Sequence, residues 1–581
     1  MGSFFKMFFA SLLALFIFCV IGFFLLAGLV SALSSKDKPE VAAKTVLTID
    51  LSQQFSERMQ NNPLAALSND ASDIPGLFDV VRHIGHAKTN DNIKGILLIS
   101  NGNSNGFAAS EEIRNALLDF RSSNKFVIAH GEMMTENAYY VASAASRLYA
   151  NPVGSVEWDG FNVSLAFLKG TLDKLEIQPQ IFYAGKFKSA TEPFRTTQMT
   201  PENKLQTLEW LGDMYQHFLV KVSESRKIDT ATLHQLANTG AIQEAADAFR
   251  YKLVDSLKYD DQVKDEIKKN LGIGKQDKLN LMTINKYAEA VSIRQSGKDR
   301  IALIYAEGNI VDGEGNDENI ASANYIRMIR KARLDKNIKA IVLRINSGGG
   351  SALASENIWR ELTLAKAEKP LVVSFGDVAA SGGYYIAAAA DSIFAQPNTI
   401  TGSIGVFGII PNMQGFFNNK LGVTFDGVKT AEHADGGVYR PMTEAEKKFA
   451  QEGVDRVYMQ FKQRVAQGRK MDINMVDSLA QGRVWSGYDA LRLRLVDKLG
   501  GLQDAINCAA RLAKTSGYRL REFPERKSFL DELLGKTTSE PTAKLKEQVG
   551  EENYKLYKEL VQIRQMTGNT QARLPFQFFI H

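Results

Sequence analysis

Ser381 stands in the string Gly376-Asp-Val-Ala-Ala-Ser381-Gly382-Gly383-Tyr384-Tyr385, just ahead of an alanine-rich stretch. A serine at the start of a helix has a chemical use. The first N–H groups of a helix have no partner in the helix and carry the positive end of its dipole. A hydroxyl there can attack a carbonyl while neighbouring N–H groups hold the oxyanion. A second donor is available in the glycine run Asn346-Ser-Gly-Gly-Gly350, because glycine lets backbone approach a substrate closely. The same serine also reads as an N-cap followed by turn glycines, a purely structural use.

A serine nucleophile needs a base. His433, in Lys429-Thr-Ala-Glu-His433-Ala-Asp435, makes a Ser–His–Asp set possible. The other option is a lysine whose pKa is lowered by burial. Lys188, in Phe187-Lys-Ser-Ala-Thr-Glu-Pro-Phe194, and Lys429 occupy roughly corresponding places in the two halves of the chain. Most lysines are solvated surface residues, and residue chemistry alone does not choose among these three.

The elements that must position these groups alternate between strand and helix. Ile338–Ile345 is a short apolar run rich in β-branched residues, and the glycine run follows it at once. A helical stretch is expected from about Ser355 to Lys366, then a strand over Leu371–Phe375 after Pro370. Lys447 to Gly468 has helical apolar spacing at Val454, Val457, Tyr458, Phe461 and Val465. This alternation predicts an α/β fold with parallel strands.

The chain also repeats itself. At one constant offset Asn92-Ile93-Lys94 recurs as Asn337-Ile338-Lys339, Ala109-Ser110-Glu111 as Ala354-Ser355-Glu356, Gly131 as Gly376, Tyr139-Tyr140 as Tyr384-Tyr385 and Pro152 as Pro397. With a small drift, Phe218, Val222 and Arg226-Lys227 match Phe461, Val465 and Arg469-Lys470, and Leu253-Val254-Asp255 matches Leu495-Val496-Asp497. The period is far too long for a solenoid, so two similar lobes are expected. The lobes differ at the chemistry: Glu136 stands where Ser381 stands, and Asn101-Gly-Asn-Ser-Asn-Gly106 replaces Asn346-Ser-Gly-Gly-Gly-Ser351.

Composition excludes several classes. Lys+Arg 70 against Asp+Glu 65 leaves a net charge of +5, with no basic block to attract nucleic acid. Cys19 and Cys508 cannot build a disulfide framework or a cysteine-rich metal site. No HExxH zinc motif occurs, and Gly272-Ile-Gly-Lys275 lacks the spacing and hydroxyl of a phosphate-binding loop. Met7 to Leu33 carries no charge and is long enough to span a bilayer with some tilt. It exceeds the apolar core of a cleaved signal peptide, so a retained anchor is expected. The lysines flanking it do not fix its orientation.

Four strings in order, the glycine loop, the Ser381 segment, Thr401-Gly-Ser-Ile-Gly-Val406 and Phe187–Phe194, together resemble the long, duplicated form of the signal peptide peptidase A family. The resemblance covers nearly the whole chain. It implies tandem ClpP/crotonase-like lobes of repeated ββα units behind one N-terminal transmembrane helix. It implies a Ser/Lys serine protease that degrades cleaved signal peptides and similar apolar peptides without metal or cofactor. It implies a homotetramer, held by one pass in the inner (cytoplasmic) membrane of a bacterial cell with its catalytic body extracytoplasmic. Residue by residue, Ser381 matches the nucleophile, Lys188 the general base, Ser403 the residue that orients the lysine, and Gly349 with Gly382 the oxyanion hole. Gly348 departs from the family, which often has proline there. Two other readings remain on the residues alone: an acyl-thioester enzyme of the same fold, and a membrane scaffold in which Ser381 is only a cap. The expected division is an anchor over 1–36, a lysine-donating lobe over 37–285, a serine-bearing lobe over 286–525 and a polar helical tail over 526–581, with residues near 270–297 as an irregular link.

Overall fold

The computed structural model describes residues 2–34, 39–61, 72–293, 297–316, 318–525 and 570–574. A single helix, Gly2–Ser34, opens the chain. Its segment Phe4–Gly22 has a mean hydropathy of 2.5 and is long and apolar enough to cross a membrane.

The two lobes are built on matching sheets. In the first, the strands run in the order Ser256–Leu257, Arg147–Val156, Phe126–Met134, Ile93–Ile99, Thr45–Asp50, Leu281–Thr283, all parallel. In the second, the parallel order Lys498–Leu499, Ser392–Ala395, Leu371–Ala380, Ile338–Ser347, Asp299–Glu307, Tyr518–Phe523 repeats it strand for strand. Parallel strands covered on both faces need continuous apolar runs. Ile338–Ser347 meets that need, with Ala340 through Ile345 all buried.

The residues that repeat in sequence turn out to be the bonds that repeat in space. Tyr139 donates to the Leu253 carbonyl at 2.6 Å and Tyr384 to the Leu495 carbonyl at 2.7 Å. Tyr140 donates to Glu111, and Tyr385 to Glu356. Arg226 pairs with Asp255, and Arg469 with Asp497. Lys227 and Lys470 each close a long helix in the left-handed conformation.

Several expected boundaries move, each for a physical reason. The helix expected from Ser355 begins at Ala352, because the Ser351 hydroxyl accepts from the Ala354 N–H. The helix expected over 447–468 spans Glu444–Arg469, opened by a reciprocal Thr443/Glu446 cap. The strand expected to end at Phe375 runs on to Ala380, because Val378, Ala379 and Ala380 pair with Ile400–Gly402. That extension delivers the chain directly to Ser381. The irregular link is only partly irregular: Leu281–Thr283 pairs with Thr45–Asp50, and Tyr287 of the following helix Ile284–Ala290 is fully buried. The first lobe therefore continues past 285, which falls inside that helix. Most of the tail lies outside the described residues, but Gln571–Arg573 is strand rather than helix.

A third sheet joins the lobes. Its order is Asn319–Ala321, Asn309–Val311, Gly349–Ser351, Gln571–Arg573, Val406–Asn412, Gln178–Ala184. Gln178–Ala184 comes from the first lobe and lies antiparallel to Val406–Asn412 of the second along its whole length. The lobes are pinned by charge as well. Arg344, fully buried, donates from Nε to Glu57 at 2.8 Å and from Nη2 to Glu112 at 2.7 Å, both in the first lobe. Its remaining donor reaches Ser374 Oγ and the Phe375 carbonyl. Removing one member of a buried ion set strands the others, which costs about 3–5 kcal/mol. Arg344→Met is therefore expected to lower the unfolding free energy of the detergent-solubilised chain by that order, read as a fall in its urea midpoint. Glu57→Gln and Glu112→Gln introduced together with it are expected to recover much of the loss.

Candidate active site

Ser381 lies between the strand Leu371–Ala380 and the helix Gly382–Ala387. It is fully buried, and its φ of +54° with ψ of −114° is a conformation L-residues rarely adopt. Such strain costs about 1–3 kcal/mol and persists only where the surroundings enforce it. Here the Ser381 N–H donates to the Gly402 carbonyl at 2.8 Å, and the Ser381 carbonyl accepts from the Tyr385 N–H at 2.8 Å. Tyr385 N–H is thereby already in use, and the Ser381 hydroxyl makes no capping bond to the helix.

Lys188 reaches that hydroxyl from the other lobe. Its Nζ lies 2.9 Å from Ser381 Oγ, 3.0 Å from Ser403 Oγ and 3.3 Å from the Ser403 carbonyl. Its side chain is buried, and burial alone moves its pKa well below the ordinary 10.5. Among the described residues no carboxylate offsets that shift. Ser403 is itself buried and held at a φ of +50°, its N–H donating to the Arg483 carbonyl. Ser381, Lys188 and Ser403 thus meet as three buried polar side chains from three separate segments.

What holds the lysine was not visible in the sequence. Lys188 follows the interlobe strand Gln178–Ala184 and precedes a tight 3-10 turn, Ser189–Thr191. Gln206 Nε2 donates to the Phe187 carbonyl and to Ser189 Oγ, while its Oε1 accepts from the Val484 N–H. One amide thereby ties the lysine's segment to the second lobe. Buried Glu192 accepts from Thr200 and Asn203, fixing the other end of the turn. Gly482 makes the approach possible: a Cβ there would lie 2.7 Å from the Lys188 backbone, and its φ is +74°. The repeat offered no signal for Gln206, whereas Gly482 recurs as Gly240, also at positive φ, so the repeat marks the turn but not its contact with the lysine.

Gly349 and Gly382, the glycines expected at the oxyanion hole, adjoin each other beside Ser381. Gly349, at a φ of +96°, abuts the start of the serine's helix: a Cβ on Gly349 would lie 2.6 Å from the Gly382 nitrogen. The Gly349 N–H is 3.1 Å from Ser347 Oγ, to which it donates. The other candidate bases lie elsewhere. Lys429 is exposed and paired with Asp435, and His433 is exposed against the Phe449 ring. In the first lobe, Glu136 starts the helix Glu136–Ala142 where the second lobe has Ser381. Burial pushes its carboxyl up to about 8, and it accepts from the Gly160 N–H. That lobe places no hydroxyl at this position.

Chemically, the arrangement can deprotonate a serine hydroxyl by a neutral amine next to backbone donors. Comparison with known proteins agrees with a hydrolytic site. The sequence model of peptidase family S49 matches residues 119–274 and again 363–516, one match in each lobe. A Clp protease model matches 294–401, across the strands and glycines that carry Ser381. Protease 4 of Salmonella typhi is 35% identical over 539 residues, covering 90% of this chain and 87% of that protein. Protease 4 of Haemophilus influenzae is 36% identical over 447 residues, covering 75% and 72%. The chloroplastic serine protease SPPA of Arabidopsis thaliana is 32% identical over 478 residues, covering 81% and 69%. The chain is a serine-type peptidase of tandem ClpP/crotonase-like lobes and belongs to peptidase family S49.

Proposed function

We propose that this protein is a membrane-anchored endopeptidase in which Ser381 is the nucleophile and Lys188 the general base. The observation that carries the reading is the buried Lys188 amine set between Ser381 Oγ and Ser403 Oγ with no carboxylate beside it among the described residues. A lysine that is neutral at working pH can accept a proton, which an exposed lysine cannot. Ser403 Oγ and its carbonyl fix the amine's direction, so its lone pair faces Ser381.

The steps follow from that geometry. Lys188 takes the Ser381 proton as Oγ attacks the scissile carbonyl. The oxyanion forms against backbone N–H groups of the Gly349 and Gly382 segments, and the Gly349 N–H, which donates to Ser347 Oγ in this structure, must exchange that partner for the oxyanion. Lys188, now charged, gives its proton to the leaving amine. Water, activated by the same lysine, then releases the acyl group and restores both residues.

We further assign the substrates as extended apolar peptides, among them cleaved signal peptides. Gly349–Ser351 lies beside the Ser381 turn, and an extended chain paired along it, where Gln571–Arg573 lies in this structure, would be read by its backbone while pockets read alternate side chains. The helix Gly2–Ser34 would hold the body against a bilayer, where such peptides are left. An extracytoplasmic face and an inner-membrane location fit this task. The relatives named Protease 4 and SPPA support it.

A fluorophosphonate probe read by intact mass tests the assignment. One adduct is expected on the wild type, lost in Ser381→Ala and in Lys188→Ala and kept in Lys429→Ala. An adduct that survives Lys188→Ala and disappears with Lys429→Ala would contradict the cross-lobe base. The positioning residues give a second test. Gly482→Ala pushes a methyl into the Lys188 backbone, so labelling is expected to fall about 100-fold with the fold intact. Stability gives a third. The unfolded lysine is protonated up to about 10.5, whereas the folded one is neutral over much of that range, so folding must release a proton. Stability from this group therefore rises with pH between the folded and unfolded pKa values. Lys188→Met is expected to be inactive yet to unfold at a higher temperature at neutral pH, the gap narrowing as the pH approaches the ordinary lysine value.

A further inference from the structure

The active-site sheet contains a strand that the chemistry does not need. Gln571–Arg573 lies between Gly349–Ser351 on one side and Val406–Asn412 on the other. It is antiparallel to Gly349–Ser351, with Gly350 opposite Ala572. The pairing continues at both ends: the Leu574 N–H donates to the Gly348 carbonyl at 2.7 Å, and the Ala352 N–H to the Thr570 carbonyl at 3.2 Å. Neighbouring strands in a sheet sit about 4.8 Å apart. Take this strand away and the two flanking edges face each other across a slot one strand wide. Such a slot is what strand addition by an extended peptide requires.

The register of the strand bears on the site itself. A Cβ on Gly349 would lie 2.1 Å from the Ala572 carbonyl oxygen, and a Cβ on Gly382 would lie 2.9 Å from the same oxygen. That carbonyl is therefore wedged between the two glycine segments assigned above to the oxyanion, at the turn that carries Ser381. The strand is also firmly seated. Ala572 is fully buried in the second lobe's core, and Leu574 is packed into the first lobe's core.

We propose that residues 570–574 are the chain's own occupant of its peptide cleft, bound in the register of a substrate and competing with peptides from outside. The proposal rests on the Ser381/Lys188 reading. A peptide that enters must displace a strand already paired on both edges. A site free for about one-tenth of the time binds its ligand about tenfold more weakly than an open one.

The experiment measures the rate at which a fluorophosphonate labels Ser381 in the detergent-solubilised full chain, in a chain lacking residues 570–581, and in Ala572→Arg. Ala572→Arg expels the strand while keeping the rest of the chain, and covers the case in which the truncated chain fails to fold. About tenfold faster labelling is expected in both variants, with a matching fall in KM for an extended apolar fluorogenic peptide. A synthetic peptide of residues 570–576, added to the truncated chain, is expected to slow it competitively. A slow loss of residues 573–581 from the full chain that Ser381→Ala prevents would also support the register, since it requires the Ala572–Arg573 bond to lie at Ser381. Equal or slower labelling in folded variants would overturn the proposal and leave the Ser381/Lys188 reading standing. Absence of Ser381 labelling in all three chains would overturn both.

Discussion

An amine with no counter-charge, buried at the seam of two lobes, is the constraint to which the rest of the structure answers. Taking a lysine out of water disfavours its charged form, and a nearby carboxylate would restore it. The protein buries Lys188 beside two serines and, among the described residues, sets no carboxylate against it. Neither lobe could do this alone. The lysine's segment comes from the first, Ser381 and Ser403 from the second, and the strands Gln178–Ala184 and Val406–Asn412 join them. The closeness needed is set by Gly482, and the direction by Gln206 and the Glu192 cluster.

Strain is concentrated at the same place. Ser381 and Ser403 both hold positive φ, and both are locked by backbone bonds to neighbouring segments of the second lobe. The Arg344 set supplies rigidity nearby, since Arg344 lies on the strand that leads into the glycine loop and grips two first-lobe carboxylates. Asp377, on the strand that leads to Ser381, accepts from the Ala108 and Ala109 N–H groups at the start of a first-lobe helix. The interface is thus organised by polar groups that face the site's own strands. The lobes differ at the position of Ser381: the first keeps the frame and supplies Lys188, and has Glu136 there in place of a hydroxyl.

Much of this was legible in the sequence because duplication exposes what a frame requires. Several repeated pairs proved to be repeated bonds: Tyr139 and Tyr384, Glu111 and Glu356, Arg226 and Arg469. Ser381 and the glycines were legible because one lobe alone had them. The proposed base was not legible from chemistry, since Lys188 lies 193 residues from Ser381 and its burial is a tertiary fact; the family resemblance pointed to it. Gln206 gave no signal, as it does not recur; Gly482 recurs as Gly240, but its contact with Lys188 exists only across the seam. Leu281–Thr283 was read as linker because a three-residue edge strand has too little periodicity to stand out. Gln571–Arg573 was missed for the same reason, and its partner strand lies far away in sequence.

The central claim is that Lys188 is neutral when Ser381 reacts, and the pH dependence of Ser381 acylation tests it most directly. The second-order rate of fluorophosphonate labelling would be followed from about pH 5 to about pH 10 in the wild type and in Lys188→Ala. The account predicts a single ionisation well below 10.5 that limits the rate on the acid side, a plateau above it, and loss of both rate and profile in Lys188→Ala. A rate still climbing toward the ordinary lysine value, or a profile unchanged by Lys188→Ala, would contradict it.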